Sequence, residues 1–502
     1  MSINNLSDDV LGEIVALLSN KDRFCSFALV SRGLLRCARS APLPYLDLAS
    51  SALLREAIQN SIEPIDDKIM TAEPVTKESV AEAVDGAFRS NAFLGQTLLP
   101  LVGTVRELLL PASLNLIPMS LLASRFQNVK KIMADSVKGA GDLGFLAEDL
   151  ANLPSLEALE FTRVRFTDAC CSFQNLKSLT LSIDWTYYLR SKMAMYLDSK
   201  LKPRLLDEIF SAVKLEVLDL NFAISTKKLV NLRELKLQIQ SQSDAELLAD
   251  VPSGVSRLSL VTSVTGEALP ALLIRLTRLE ALALFSSASA DTDNKNSKPM
   301  KQVSSYMPGW DPIGTFAHLS HLRTLTLEAL GSNNISAVEL KAISALKTLE
   351  SLTLFGNFAG LGSNVVEALE TLPLLTALEL RQNSREGGWR MDRNSSFAIL
   401  KCLVSKSLRS TIGVQQQKEK GKGNGVPFKY LTLEYVLVDP DGYEELSKMT
   451  SLHSLKITVH SDNDPTPQQV LALRDALKYS DITIRKGHYL SQRRDPQPTG
   501  KK

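Results

Sequence analysis

A short apolar pattern, Leu-x-x-Leu-x-Leu, recurs along most of this 502-residue chain, and several successive copies are 23 to 27 residues apart. The end of each copy alternates apolar and polar residues, which is the period of a β-strand with one buried face. A unit this short cannot stand alone, because ordering each residue costs about 1–2 kcal/mol of backbone entropy whereas each buried Leu contributes roughly 1.5–3 kcal/mol. The pattern therefore predicts a stack of units that cover one another.

The repeats extend from residue 105 to residue 485. Clear copies begin at Leu156, Leu176, Leu215, Leu232, Val255, Leu279, Leu322, Leu349, Leu375, Phe428 and Leu452, weaker ones at Val105, Val129 and Tyr479, and Leu43 begins a candidate first copy. This pattern resembles the leucine-rich-repeat family. The resemblance implies an α/β fold, a leucine-rich-repeat solenoid shaped like a horseshoe with parallel strands on the concave face. The Asn or Cys expected three residues after the last strand Leu occurs only as Asn357 and Asn383, so we expect an irregular array.

The first 48 residues have a different pattern, which indicates three short helices and a strand. Ser7 can cap the first helix, and Asp8 and Asp9 lie where the helix dipole favours carboxylates. Apolar residues then recur at helical spacing between residues 10 and 18. A piece of about 40 residues is too small to bury a self-sufficient core, so we expect it to dock on the repeats or on a partner.

This segment resembles the F-box, the module that binds the small adaptor subunit of cullin-RING ubiquitin ligases. The resemblance rests on Leu6, the acidic pair, the apolar stripe, Lys21-Asp22 and Leu-Val-Ser-Arg at 29–32. It implies an F-box-like helical module at 1–42 with adaptor-binding residues Leu6, Val10, Leu11, Ile14, Leu17, Leu18, Val30 and Leu34. Ser7 replaces the usual Pro and Leu34 the common Trp, and the second change resembles divergent F-boxes of fungal type. The alternative is a helical cap for the repeats.

Four segments interrupt or follow the repeats. Residues 43–104 are predicted to hold the first strand and a helical connector. Residues 286–312, rich in Ser, Asp, Asn and Lys, and residues 410–426, rich in Gln, Lys and Gly, are predicted to be insertion loops. The polar residues 486–502 are predicted to be a disordered tail.

Composition and motifs favour a non-catalytic intracellular protein. A net charge of +2 gives no electrostatic case for nucleic acid or membrane. Five sparse cysteines indicate reduced thiols, and the N-terminus has no apolar signal-peptide segment, so we expect a location in the cytoplasm, the nucleus or both. Hydrolase, phosphate-loop and zinc-protease motifs are absent, and the pair His318 and His321 is better read as surface residues. We therefore expect no enzyme activity, cofactor or metal.

Outward-facing strand residues provide a candidate target surface. In the middle units these positions hold small residues with Phe285 and Phe355 beside them, and charged residues at the rim. An apolar anchor rimmed by charge is typical of protein recognition. The predicted target-binding residues are Phe285, Thr326, Glu328, Thr353, Phe355, Glu379, Arg381 and Tyr430. The alternative is that the phenylalanines are covered by the 286–312 insertion or face the helices.

The function predicted from these features is that of a substrate-recognition subunit of an SCF-type cullin-RING E3 ubiquitin ligase. Its partners would be the adaptor, through the adaptor the cullin, and an unknown target protein. The alternative is a leucine-rich-repeat interaction scaffold that is not linked to ubiquitin transfer.

Overall fold

The chain forms an α/β solenoid of parallel strands, the fold class predicted from the repeats. A computed structural model describes residues 45–47, 103–111, 127–135, 153, 155–164, 175–183, 209, 211–262, 267–286, 312–328, 335–356, 361–382, 393–420, 427–436, 438–459 and 465–486. The chain divides into two compact units, residues 1–234 and 235–502. Within each unit, neighbouring strands are parallel and follow one another in chain order.

The first unit is built on parallel strands joined in register. Its described strands are β1 (Tyr45–Asp47), β2 (Glu107–Pro111), β3 (Lys131–Asp135), β4 (Ala158–Val164), β5 (Ser178–Ile183) and β6 (Val217–Leu220). From β2 to β6, the register aligns one apolar column of Leu108, Ile132, Leu159, Leu179 and Leu218. All of these side chains are at most 1% exposed. The inward Leu of the sequence pattern is therefore the core residue of each unit.

In the second unit, helices alternate with strands. Strand β7 (Glu234–Ile239) begins at the division, and the later strands are β8 (Arg257–Thr262), β9 (Ala281–Ser286), β10 (Thr324–Glu328), β11 (Ser351–Gly356), β12 (Ala377–Gln382), β13 (Tyr430–Glu434), β14 (Ser454–Val459) and β15 (Asp481–Lys486). The described helices are α1 (Gln242–Glu246), α2 (Ala268–Arg275), α3 (Pro312–Phe316), α4 (Ala337–Ile343), α5 (Gly362–Glu370), α6 (Arg393–Lys420), α7 (Pro440–Ser447) and α8 (Pro467–Ala476).

The core of the second unit repeats the same arrangement. Its register aligns Leu258, Leu282, Leu325, Leu352, Leu378, Leu431 and Leu455 in one buried column. The next inward position of each strand is also buried, as in the alternating burial of β11 and β12. The helices bury their own leucines, for example Leu340 of α4 and Leu369 of α5. Outward strand residues are left free of core packing.

Side-chain caps fix where several helices begin. Helix α4 starts at a capping box in which the Glu339 N–H donates to Ser336 Oγ at 3.2 Å and the Ser336 N–H donates to the Glu339 carboxylate at 2.7 Å. Equivalent boxes begin α1, at Ser241 and Asp244, and α8, at Thr466 and Gln469. Burial raises the pKa of the Glu339 carboxyl, against the opposing effect of the hydrogen bonds from Ser336.

A column of charged residues immediately precedes strands β2 to β7; we call it the edge ladder. The N–H of each member donates to the carbonyl of the preceding member. The members are Arg106, Lys130, Glu157, Lys177, Glu216 and Arg233. The Glu157 carboxylate accepts hydrogen bonds from Lys177 at 3.1 Å and from Lys130 at 3.3 Å. These bonds hold the pKa of Glu157 below its usual value.

The structure differs from the predicted segments over residues 410–420, and by one residue at three boundaries, because Ser286 ends β9, Pro312 begins α3 and Lys486 ends β15. Residues 410–420 were predicted to lie in an insertion loop, which is wrong, because α6 continues through Lys420. Glu, Gln and Lys are good helix formers, and the helix is anchored by Ile399, Leu400 and Leu403, all buried. The F-box-like module at 1–42, most of the connector and of the 286–312 loop, and all but the first residue of the tail lie outside the described residues.

Candidate protein-binding surface

The outward residues of β9 to β13 form one continuous surface in the second unit, which we call the strand face. The register aligns Ala281, Thr324, Ser351, Ala377 and Tyr430 in one row, and Ala283, Thr326, Thr353, Glu379 and Thr432 in the next. Adjacent parallel strands are about 4.8 Å apart. The predicted target-binding residues of these five strands therefore lie on one face, although their sequence positions span more than a hundred residues.

Small side chains form the floor of the strand face, and Phe285 and Phe355 lie next to this floor, near the ends of β9 and β11. Thr326 and Thr353 are half-buried neighbours in the middle row. Phe285 ends the outward row of β9, and Phe355 ends that of β11, where it is aligned with Glu328 on one side and Arg381 on the other. Both rings are half-buried rather than enclosed. Part of each aromatic surface thus remains open for contact.

An acid–base cluster occupies the part of the face over β11 to β13. Arg381 donates from Nε to Glu379 Oε1 at 2.8 Å, and its second contact is Glu434 Oε2, 3.6 Å from Nε. Thr353 donates to the other oxygen of Glu379 at 3.2 Å. Partial burial lowers the pKa of Arg381, but the hydrogen bond to Glu379 and the charges of both glutamates outweigh it, so that the pKa is raised. The two glutamates therefore hold the guanidinium in one orientation.

Two predicted residues differ sharply in accessibility. Glu328 is only 9% exposed, so little of its surface can reach a partner. Tyr430 is 50% exposed at the opposite end of the face. Its ring centroid lies 6.1 Å from that of His453. Of the two, Tyr430 is the one that can contribute contact area.

The strand face provides the kinds of contact that protein interfaces use. An aromatic pair, small neighbours and a preformed ion cluster can supply anchor and rim contacts to a protein. Within the described residues, no group of three His, Cys, Asp or Glu side chains is placed to hold a metal ion. No described helix is both long and apolar enough to cross a membrane.

Sequence analysis identified the members of this face but missed other features of the structure. It did not predict that Arg381 links Glu379 to Glu434, because the contact joins neighbouring strands through a long flexible side chain. It also missed the start of α6, whose buried Ile399, Leu400 and Leu403 recur at helical spacing and could have revealed it.

The predicted adaptor-binding residues have no structural test. Leu6, Val10, Leu11, Ile14, Leu17, Leu18, Val30 and Leu34 all lie outside the described residues. Their assignment stays a prediction from sequence.

Comparison with known proteins identifies an N-terminal domain. Residues 3–45 match the family described as F-box domain. No curated protein matches the chain. Among solved structures, an internalin from Listeria monocytogenes is similar at 12% identity, over 73% of this chain and 84% of that chain, with a TM-score of 0.29. The fold class rests on the strand order and register. The chain therefore carries an F-box domain ahead of a parallel α/β solenoid.

Proposed function

We propose that this protein is a substrate-recognition subunit of an SCF-type cullin-RING ubiquitin ligase, working in the cytoplasm or the nucleus. The observation that carries the proposal is the F-box domain at residues 3–45, ahead of a solenoid that offers a protein-binding surface. The F-box domain binds the adaptor and through it the cullin, and the solenoid binds the target. Holding the target next to the ubiquitin-transfer subunits makes transfer effectively intramolecular. The chain itself performs no covalent step.

The adaptor is bound by the apolar stripe of the F-box domain. The spacing of Val10, Ile14 and Leu17 in the sequence is that of one face of a helix, and Val30 and Leu34 are predicted to extend the contact. Leu34 replaces the aromatic residue common at its position and supplies a smaller apolar side chain. A segment of about 40 residues with this many apolar side chains would gain stability from a partner that covers them.

The target is bound by the strand face. Phe285 and Phe355 act as anchors, since part of each ring remains exposed and aromatic residues, phenylalanine included, are enriched at protein interfaces. The Arg381 cluster fixes orientation, because Arg381 is already aligned by Glu379 and Glu434 before binding. Tyr430 adds an exposed aromatic contact.

Adaptor binding is tested by co-expressing the full chain with the adaptor and measuring co-purification. The double variant Val10→Asp/Leu34→Asp should lose the adaptor, because an unpaired charge in an apolar interface costs several kcal/mol. The control is Val230→Asp, at a position 72% exposed in the solenoid, which should bind as the wild type does. If the folded wild type does not bind the adaptor, the protein is a repeat scaffold outside ubiquitin transfer.

Target binding is tested separately, with the adaptor interface intact. Proteins that co-purify with the wild-type chain are compared quantitatively with those that co-purify with Phe285→Ser/Phe355→Ser. The control is Val338→Ser, on the helix side and 40% exposed. We expect the phenylalanine variant, but not the control, to lose a subset of partners while it still binds the adaptor. Equal loss in both variants, or in neither, contradicts the assignment of the strand face.

A further inference from the structure

The last described strand, β15, leaves two inward apolar side chains partly exposed. Ile482 and Ile484 are aligned with Leu455 and Ile457 of β14. Those two β14 residues are at most 1% exposed, whereas the two isoleucines of β15 are only half-buried. The inward column thus loses its cover at β15, since no other described strand pairs with its far side.

The backbone of β15 also has hydrogen-bonding groups directed away from β14. Asp481 donates its N–H to the His453 carbonyl of the preceding unit at 2.8 Å. Parallel pairing alternates along a strand, so the backbone groups of Asp481, Thr483 and Arg485 are directed to β14. Those of Ile482 and Ile484 are directed to the far edge, where they can pair with another strand.

We propose that β15 pairs antiparallel with β15 of a second copy of this chain, about a two-fold axis at Thr483. In this register Ile482 lies opposite the partner's Ile484, as a hydrogen-bonded pair that uses the edge-directed backbone groups. Asp481 lies opposite the partner's Arg485, and Thr483 lies opposite its own equivalent. Both charged residues are exposed in the single chain.

Three independent requirements select this register. Opposite residues must face the same side of the sheet, which excludes shifts by one residue, because those place isoleucine opposite an outward residue. A centre at Asp481 or at Arg485 puts like charges together, which is destabilising. A two-fold axis at Ile482 or at Ile484 places residues of the same face opposite each other but does not place Asp481 opposite Arg485. The centre at Thr483 pairs apolar with apolar and acid with base on both sides of the axis.

The charges on β15 therefore select one pairing register. Charged residues on an edge strand usually discourage pairing with other strands. In DITIRK, residues 481–486, opposite signs are placed so that only one antiparallel register satisfies them. A single six-residue strand buries less than the roughly 1,200 Å² of a standard interface, so we expect a weak dimer. Such a dimer would present two strand faces, and two linked sites increase avidity without new contacts.

The first test measures the mass of the full chain by sedimentation velocity over a range of concentrations. The wild type should dimerise as its concentration rises. Asp481→Arg should be monomeric over the same range, because it places Arg opposite Arg. The double variant Asp481→Arg/Arg485→Asp exchanges the signs and should restore the dimer. A wild type that stays monomeric throughout, or a dimer that is unaffected by Asp481→Arg, overturns the proposal.

The second test reads the register directly. Thr483→Cys places two thiols across the axis in a non-hydrogen-bonded pair, with Cα atoms about 4.5 Å apart, within the range for a disulfide. Under mild oxidation this variant should form a covalent dimer well above the level of the wild type, whose five cysteines set the background. The matched control is Thr458→Cys, one strand away on β14 and aligned with Arg485, which should give only the background level. Equal cross-linking at both positions contradicts pairing about Thr483.

Discussion

Shortening an inward side chain should lower the free energy of unfolding more when two neighbouring strands cover that side chain than when only one does. Leu352 of β11 is 1% exposed and lies between Leu325 and Leu378 in register. Leu352→Ala should therefore lower the free energy of unfolding by about 2–5 kcal/mol, the range for a buried Leu with its cavity. Ile484 is half-buried and covered by β14 alone among the described strands. Ile484→Ala should cost about half as much, roughly 1–2.5 kcal/mol.

The assay is urea unfolding followed by circular dichroism, at concentrations where the chain is monomeric. Because the chain has two compact units, the transition that belongs to the second unit is the one compared. Thr353→Ala serves as the control, since it lies on the outward face and loses one hydrogen bond to Glu379, with an expected cost of about 0.5–1.5 kcal/mol. A cost at Ile484 equal to or above that at Leu352 would refute coverage by neighbouring units as the source of stability.

Three further predictions concern the stability of variants at Glu339, Asp439 and Gly362. Burial raises the pKa of the Glu339 carboxyl, so the stabilisation by the protonated side chain is fully present below the normal pKa of 4.5 and is lost as pH rises through the pKa of the folded state. Glu339→Gln should therefore be more stable than the wild type at pH 7 but not at acid pH. The measurement is the melting temperature of both proteins as a function of pH. Asp439→Ala should cost about 0.5–2 kcal/mol by removing the cap of α7, whereas Asp439→Asn should keep most of that stability and lose only the exposed ion pair with Arg393. Gly362→Ala should destabilise by about 1–3 kcal/mol or more in chemical unfolding, because the added Cβ would overlap the Ser395 side chain at the contact of α5 with α6.

The leucine pattern was sufficient to predict the strands because its signal is local and repeated. An inward Leu or Ile recurs at the same position of each unit, so one pattern determines face, direction and register together. That is why Thr353 and Phe355 lie on the outward face as the alternation required. The charge and size of the outward residues do not repeat from unit to unit.

Properties that depend on residues that differ from unit to unit could not be predicted from the repeat pattern. Glu328 occupies an outward position, yet it is nearly buried, which a period of two cannot indicate. The link from Arg381 to Glu434 depends on side-chain reach across two strands. The helix over residues 410–420 lacks the apolar spacing that would have marked it, because its buried anchors lie earlier, near Leu400 and Leu403.

The edge ladder bears on how the units find their correct order during folding. Leucine faces are nearly interchangeable, so a collapsing chain could stack a unit on the wrong neighbour and still bury its apolar surface. In the edge ladder, skipping Glu157 would bring Lys130 against Lys177, and skipping Lys177 would bring Glu157 against Glu216. Skipping Glu216 would bring Lys177 against Arg233. Like charges on adjacent strands are destabilising, so each such misassembly is penalised at the point where a strand begins to pair, and from Lys130 to Arg233 the ladder favours the native succession of units. Arg106 and Lys130 are like-charged neighbours, so this effect does not extend to that pair.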